Sequence, residues 1–228
     1  MKMSIVIPTY NEGIEFFDLL NFLKKELLEF PESEVIVVDG ESEIDSSNIV
    51  NELGFKSFIT KKGRGNQLYF GAEKAHGDVL YFLHADSKPP QNFIKTISQV
   101  IENGDESGCF GLKFTPSNKI LRFYEYFVKF NFLVCRGGDQ SLFVTRGLYK
   151  KCGGFNPKLR ILEDIDIIQK LKRISHIKIL KEKVTTSSRK YQENGMFRLQ
   201  VLFAIIHFLY WLRVSNDQIF NFYNKTIK

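Results

Sequence analysis

Four short runs in the first 85 residues, 4–7, 34–39, 55–60 and 78–83, are apolar without alternation, and helical patterns separate them. A strand that buries one face alternates apolar with polar residues; one such as EVIVVD, apolar at successive positions, must be covered on both faces. The intervening segments supply that cover. Residues 12–30 carry Phe16, Leu19, Leu20, Leu23, Leu27 and Phe30 at helical spacing. A second helix runs to Leu53 with Asp45 as its N-cap and Gly54 as its stop, and a third is predicted over 67–75. Strands joined by helices in this order predict an α/β fold: a mostly parallel central sheet with helices on both faces. At 228 residues the chain fits one such domain and buries a core without disulfide staples.

The second half is less regular. A helix over 91–101 leads to a Gly-rich strand over 109–115. An aromatic stretch over 118–132 follows, with Phe123, Tyr124, Tyr126, Phe127, Phe130 and Phe132, more suited to a core or a groove wall than to a cofactor. Then come a turn at 136–140, a strand at 141–145 and a helix at 163–174. Three cysteines, Cys109, Cys135 and Cys152, are too few and too scattered for a disulfide framework or a zinc cluster, which points to a reducing, cytoplasmic setting. His76, His176 and His207 have no metal-binding spacing. The opening MKMSIVIPTYNE reads as a buried first strand and not as a signal peptide.

Of the net charge of +6, residues 181–228 hold +5. No nucleic-acid-binding motif accompanies that charge, so a nucleic-acid partner is not expected. Within the same tail, residues 199–212 form an apolar stretch interrupted by Gln200 and His207, short of the ~20 residues a spanning helix needs. Two readings stay open for the helix over 197–213. It packs on the domain or on a second copy in a homodimer, or, flanked by Arg198 and Arg213, it touches a membrane surface and brings a lipid-linked acceptor to the site.

In open α/β sheets the ligand crevice lies beyond the carboxyl ends of the strands. There the sequence places Pro8-Thr9-Tyr10-Asn11-Glu12, then Asp39 to Asp45, then Lys61 to Gln67, then His84-Ala85-Asp86. Polar loops are ordinary; four in succession predict a charged, hydrogen-bonding ligand, and their chemistry suits a nucleotide. Asp39 matches a base N–H or a ribose hydroxyl, and Tyr10 offers a stacking face. Lys62, Arg64 and the Gly63 and Gly65 backbone suit phosphate near a helix start, with Gln67 closing the segment. Asp86 is a hard oxygen ligand for Mg²⁺ or Mn²⁺. Gly63-Arg64-Gly65 is neither a dinucleotide fingerprint, since Leu68 occupies the third glycine position, nor a Walker A loop.

SIVIPTYNE, VVDGESEIDS, FLHAD and LEDID, in that order, resemble the family 2 glycosyltransferases of the GT-A fold; GRGNQL, GGDQSLFV, GGF and TSSRK resemble a bacterial subgroup of unassigned substrate. The resemblance implies a single Rossmann-like GT-A domain over 1–190, nucleotide-binding to about residue 90 and acceptor-binding over 91–190, with a C-terminal helical extension over 191–228. It implies transfer of a sugar, with inversion, from a nucleoside-diphosphate donor (UDP-linked) to the hydroxyl of a saccharide or lipid-linked acceptor. Pro8, Tyr10 and Glu12 would line the nucleotide pocket, with Asp39 on the base or ribose. Asp86 matches the last position of the metal-binding DxD, and Asp164 matches the base that deprotonates the acceptor, kept ionised by a helix N-terminus. Arg189 and Lys190 fall where cations steady the leaving diphosphate. His84 departs from the first Asp of DxD; as a ligand it suits Mn²⁺ better than Mg²⁺. A sugar nucleotidyltransferase is the rival enzyme class, lacking here its Gly-x-Gly-x-Arg loop after the first strand. A non-catalytic nucleotide-sugar-binding protein is the other rival, favoured by His84 and opposed by Asp86 and Asp164.

Overall fold

A computed structural model describes residues 1–43, 46–127 and 138–227. The apolar runs become β1 (Met3–Thr9), β2 (Glu34–Asp39), β3 (Lys56–Ile59) and β4 (Val79–Phe82), joined by helices α1 (Ile14–Glu26), α2 (Ser47–Glu52) and α3 (Arg64–Lys74). The later chain adds β5 (Ser87–Lys88), α4 (Phe93–Glu102), β6 (Ser107–Thr115), α5 (Lys119–Phe127), β7 (Leu142–Thr145), α6 (Arg146–Cys152), α7 (Glu163–Lys172) and β8 (Lys178–Ser187). Three helices follow: α8 (Arg189–Asn194), α9 (Met196–Trp211) and α10 (Asn216–Thr226). The eight strands of the described residues form one sheet in the order β3-β2-β1-β4-β7-β6-β8-β5. β3, β2, β1 and β4 are mutually parallel, as are β6 and β8. β7 runs antiparallel to β4 and β6, and β5 to β8.

The unbroken apolar runs now have their explanation. Ile5, Ile7, Val35 and Val37 face Leu19, Leu20 and Leu23 of α1 and Ile94 and Ile97 of α4. The alternate residues Val6, Ile36 and Val38 face Leu68 and Ala72 of α3 and Ile167, Ile168 and Leu171 of α7 on the other side. α3 approaches closely because Gly71 lacks a side chain: a Cβ there would lie 2.4 Å from Val6 Cγ1. A third cluster joins Ile161, ahead of α7, to Leu199 and Ile206 of α9 and Ile219 of α10.

Local differences from the sequence reading have physical causes. α3 begins at Arg64, so the GRGNQ segment is its first turn and not a loop before it. β8 escaped notice because Lys181, Glu182 and Lys183 interrupt its apolar pattern, although Val184 and Thr186 are buried. Asp45, Phe130, Phe132, Cys135 and the start of the 136–140 turn lie outside the described residues. Among the described residues, no helix is long and apolar enough to cross a membrane.

Candidate active site

The strand order reverses between β1 and β4, where a crevice is expected at the carboxyl edge. Pro8 marks the fork. The last bond from β4 side to β1 is Leu83 N–H to Val6 O, at 3.0 Å. Two residues on, Pro8 has no N–H to offer, so the ladder stops there while Pro8 stays paired in register with Val38 of β2. Pro8 is buried at the end of the strand, where it opens the fork.

The β1 and β2 edges are braced from below. Gln67 Nε2 donates to Thr9 O and Val38 O, both at 2.8 Å, and the side chain is buried. Those two hydrogen bonds brace the edges beneath the crevice. Asp39 organises its own turn: Oδ1 accepts from Ser42 N at 2.7 Å, and Oδ2 accepts from Ser42 Oγ at 2.6 Å and Thr9 Oγ1 at 3.3 Å. Asn11 ties the neighbouring loop to the same turn through Ser42 Oγ and Glu43 N. Tyr10 stands exposed above it, with Lys62 Nζ 3.4 Å from its ring centroid.

On the opposite wall α7 presents Glu163 and Asp164 in its first turn. Leu162, the N-cap, has φ +63°, a left-handed conformation that costs a bulky residue about 1 kcal/mol. Glu163 is fully buried and forms an ion pair with Arg64 Nε; its Oε2 has no hydrogen-bond partner among the described residues. Arg64 Nη2 lies 3.4 Å from Asp164 Oδ2. The guanidinium expected on phosphate thus sits against two carboxylates, which, against its desolvation, raise its pKa further. Gly65 lets α3 approach this wall closely: a Cβ there would lie 2.9 Å from Leu159 O and 3.2 Å from Glu163 Cβ.

The helix N-terminus was expected to keep Asp164 acidic. Instead its pKa is pushed up to about 6, first by burial and then by Glu163, with Arg64 and His84 pulling the other way. A helix start contributes less than 1 kcal/mol in most settings, too little to offset burial beside a second carboxylate. His84, also buried, has Nδ1 3.2 Å from Asp139 Oδ1. Burial and Arg64 disfavour its proton, but Asp139 and Asp164 outweigh them and raise its pKa above the ordinary imidazole value. Asp139 is brought down to about 2: desolvation is outweighed by the His84 hydrogen bond and by the charges of His84, Arg64 and Lys190. With its Nδ1 engaged by that carboxylate, His84 stands here as the hydrogen-bond partner of Asp139.

Glu12 links the two walls. Burial raises its pKa most, then the charge of Asp86, while Arg189 and His84 lower it. Asp86 is exposed, and its Oδ1 accepts from Ser87 Oγ at 3.1 Å. Among the described residues, no three His, Cys, Asp or Glu side chains form a metal cage. The fit to a divalent ion is of another kind: two mutually repelling carboxylates, one exposed, suit a hard cation that arrives with phosphate oxygens and needs only one or two protein ligands. Arg189 is exposed and 4.0 Å from Glu193. Lys190 Nζ donates to Tyr223 Oη at 2.9 Å, on α10.

The crevice therefore brings together Tyr10, Glu12, Lys62, Arg64, His84, Asp86, Asp164, Arg189 and Lys190, with Asp39 at its edge, and sets Pro8 and Gln67 beneath it. Asp139 and Glu163 are members that sequence reasoning passed over. Their signals were present: Asp139 lies three residues ahead of the apolar strand that begins at Leu142, as Asp86 follows one, and Glu163 adjoins Asp164.

Comparison with known proteins adds an independent finding. The sequence profile described as Glycosyl transferase family 2 matches residues 4–145. The chain is 28% identical over 126 residues to a dolichol-phosphate mannosyltransferase of Pyrococcus furiosus, covering 53% of this chain and 35% of that one. It is 24% identical over 212 residues to the probable glycosyltransferase YdaM of Bacillus subtilis, covering 81% and 50%. The chain thus spans half or less of the length of these curated relatives. Among solved structures, S. aureus TarS 1–349 in complex with UDP-GlcNAc superposes with a TM-score of 0.67 at 20% identity, covering 83% of this chain and 59% of that one. The mannosyltransferase PcManGT of Pyrobaculum calidifontis, in complex with GDP-Man and Mn²⁺, also gives 0.67, at 15% identity and coverages of 93% and 64%.

Proposed function

The chain belongs to glycosyl transferase family 2 and has the GT-A fold, and on that premise we propose that it moves a sugar from a nucleoside diphosphate, UDP by preference, to an acceptor hydroxyl with inversion. The observation that carries this reading is the placement of Asp164. It stands at the carboxyl edge, 3.4 Å from a fixed guanidinium, with a pKa of about 6. Such a carboxylate is mostly ionised at neutral pH yet more basic than a free aspartate, as a general base requires.

The acceptor oxygen attacks the anomeric carbon while the bond from that carbon to the diphosphate oxygen breaks on the opposite side. Asp164 takes the acceptor proton, and Arg64 holds the carboxylate in place. Arg189 and Lys190 neutralise charge developing on the departing diphosphate. The Tyr10 face receives the base, with Lys62 moving aside from the ring toward phosphate, and Asp39 receives the ribose or base edge. A divalent ion, when bound, would be held by Asp86 with Glu12 beside it and would supply further charge neutralisation at the leaving group. The UDP-GlcNAc complex of TarS and the GDP-Man and Mn²⁺ complex of PcManGT support a nucleotide-sugar donor and a metal here.

Isothermal titration with UDP, GDP, ADP and NAD, each with and without Mn²⁺, tests the reading. Binding of UDP that strengthens with Mn²⁺ and is weakened by Asp86→Ala is expected. Absence of binding by all four nucleotides overturns it.

A further inference from the structure

α9 is apolar on two opposite faces. At about 100° per residue, Leu199, Leu202, Ile206 and Leu209 fall on one side and pack into the cluster with α10 and Ile161. Phe197, Val201, Ile205, Phe208, Trp211 and Leu212 fall on the other in a single stripe roughly 120° wide. All six are exposed, Phe197 at 70% and Trp211 at 74%. Gln200 and His207 run along one flank and Arg198 along the other. A helix apolar all round is ordinarily buried all round, and an unbroken apolar stripe along its length marks a contact surface.

The charges around the stripe identify what covers it. Between residues 195 and 214 the charged side chains are Arg198 and Arg213, both exposed. α5 begins against the start of α9, where Asn118 Nδ2 lies 3.2 Å from Met196 Sδ, and it exposes Lys119 and Arg122 together with Phe123. The exposed acids nearest in sequence, Glu193 and Asp217, face Arg189 and Arg160 at 4.0 and 3.7 Å. A second copy of this chain would set like charges against one another, whereas an anionic headgroup layer complements them. The 16 residues of α9 reach about 24 Å, less than the ~30 Å hydrocarbon core, so the helix lies in the plane of the interface.

We propose that the outer face of α9 seats this protein on an anionic membrane surface, with Trp211 and Phe208 inserted at the headgroup boundary and Arg198 and Arg213 on lipid phosphates. The inference is independent of the donor and the metal.

Trp211 is the single tryptophan of the chain, so the fluorescence of the unaltered protein reports its surroundings alone. Mixed phosphatidylcholine–phosphatidylglycerol vesicles are expected to shift its emission to the blue, and lipids brominated on the acyl chain to quench it. Phosphatidylcholine alone, or high salt, should weaken both effects. The double variant Val201→Gln/Phe208→Gln keeps Trp211, alters only exposed positions and should lower partitioning about tenfold or more. Should that variant fail to fold, Arg198→Gln/Arg213→Gln serves instead and should abolish the preference for phosphatidylglycerol. Emission unchanged by either vesicle overturns the proposal. So does a dimer in sedimentation that the double variant dissociates, because a second copy then covers the stripe.

Discussion

The two walls of the crevice impose opposite demands on Asp164, and they make its titration readable. Arg64 lowers its pKa while burial and Glu163 raise it, the balance standing at about 6. Activity that depends on the ionised carboxylate should therefore rise with pH through a limb near 6 in kcat/KM. Arg64→Gln removes the stabilising charge and should move that limb to higher pH; Glu163→Gln removes the repelling one and should move it lower. Opposite displacements in pH–rate profiles check the assignment, and coincident limbs would sink it. Asp164→Asn should reduce kcat by about 10²–10⁴-fold with nucleotide affinity retained. The same residue affects stability. Burial holds its folded pKa above the ordinary aspartate value, so the folded state binds the proton more tightly and stability is lost as pH rises from about 4 to about 6. Asp164→Asn should accordingly be more stable than the native chain at pH 7, by of order 3 kcal/mol. Denaturant melts at pH 7 and below pH 4 check this, the advantage vanishing at the lower pH.

At the scale of elements, the braces beneath the crevice set its shape. Gln67→Met removes two hydrogen bonds to buried carbonyls, of which Thr9 O keeps the Gly40 N–H, a loss of about 1–3 kcal/mol that a urea midpoint would register. Gly71→Ala would push a methyl against Val6 Cγ1 and separate α3 from β1, at about 1–3 kcal/mol. These elements differ in how openly the sequence declares them. EVIVVD announced β2 to the residue, because a strand covered on both faces has no other way to be written. β8 did not, because its exposed positions carry Lys and Glu and its neighbours β6 and β5 lie far away in sequence. The site divides in the same way. Tyr10, Glu12 and Asp86 could be placed at strand ends by counting alone. That Arg64 faces Glu163 and Asp164 could not, since 99 residues separate Arg64 from Glu163 and the contact depends on Gly65 letting α3 approach that segment. Nor could the pKa of Asp164 be read from its helix position, because burial by distant segments decides it.

For the whole molecule, the consequential connection runs from the C-terminal helices to the candidate base. Asn216, at the start of α10, accepts from Arg160 N and donates to Ile161 O, both at 2.8 Å. Arg160 also lies over the Phe220 ring at 3.8 Å, and Tyr210 of α9 donates to Gln169 Oε1 of α7 at 3.1 Å. These contacts hold the segment leading into Leu162, whose left-handed backbone launches Glu163 and Asp164 into the crevice. A strained N-cap keeps its conformation only while its surroundings impose it. The base and ribose side of the site, built on β1, β2 and α3, shares none of these contacts, and Lys190 meets α10 at Tyr223 and not at Asn216. Asn216→Ala should therefore separate the two halves of catalysis: kcat should fall about tenfold through misplacement of the base, while UDP affinity and the KM for the donor stay unchanged. Leu162→Gly in the same background removes the steric cost of the left-handed residue and should restore part of the lost rate. A fall in nucleotide affinity equal to that in kcat would instead mean that the C-terminal helices support the fold as a whole and not the position of Asp164.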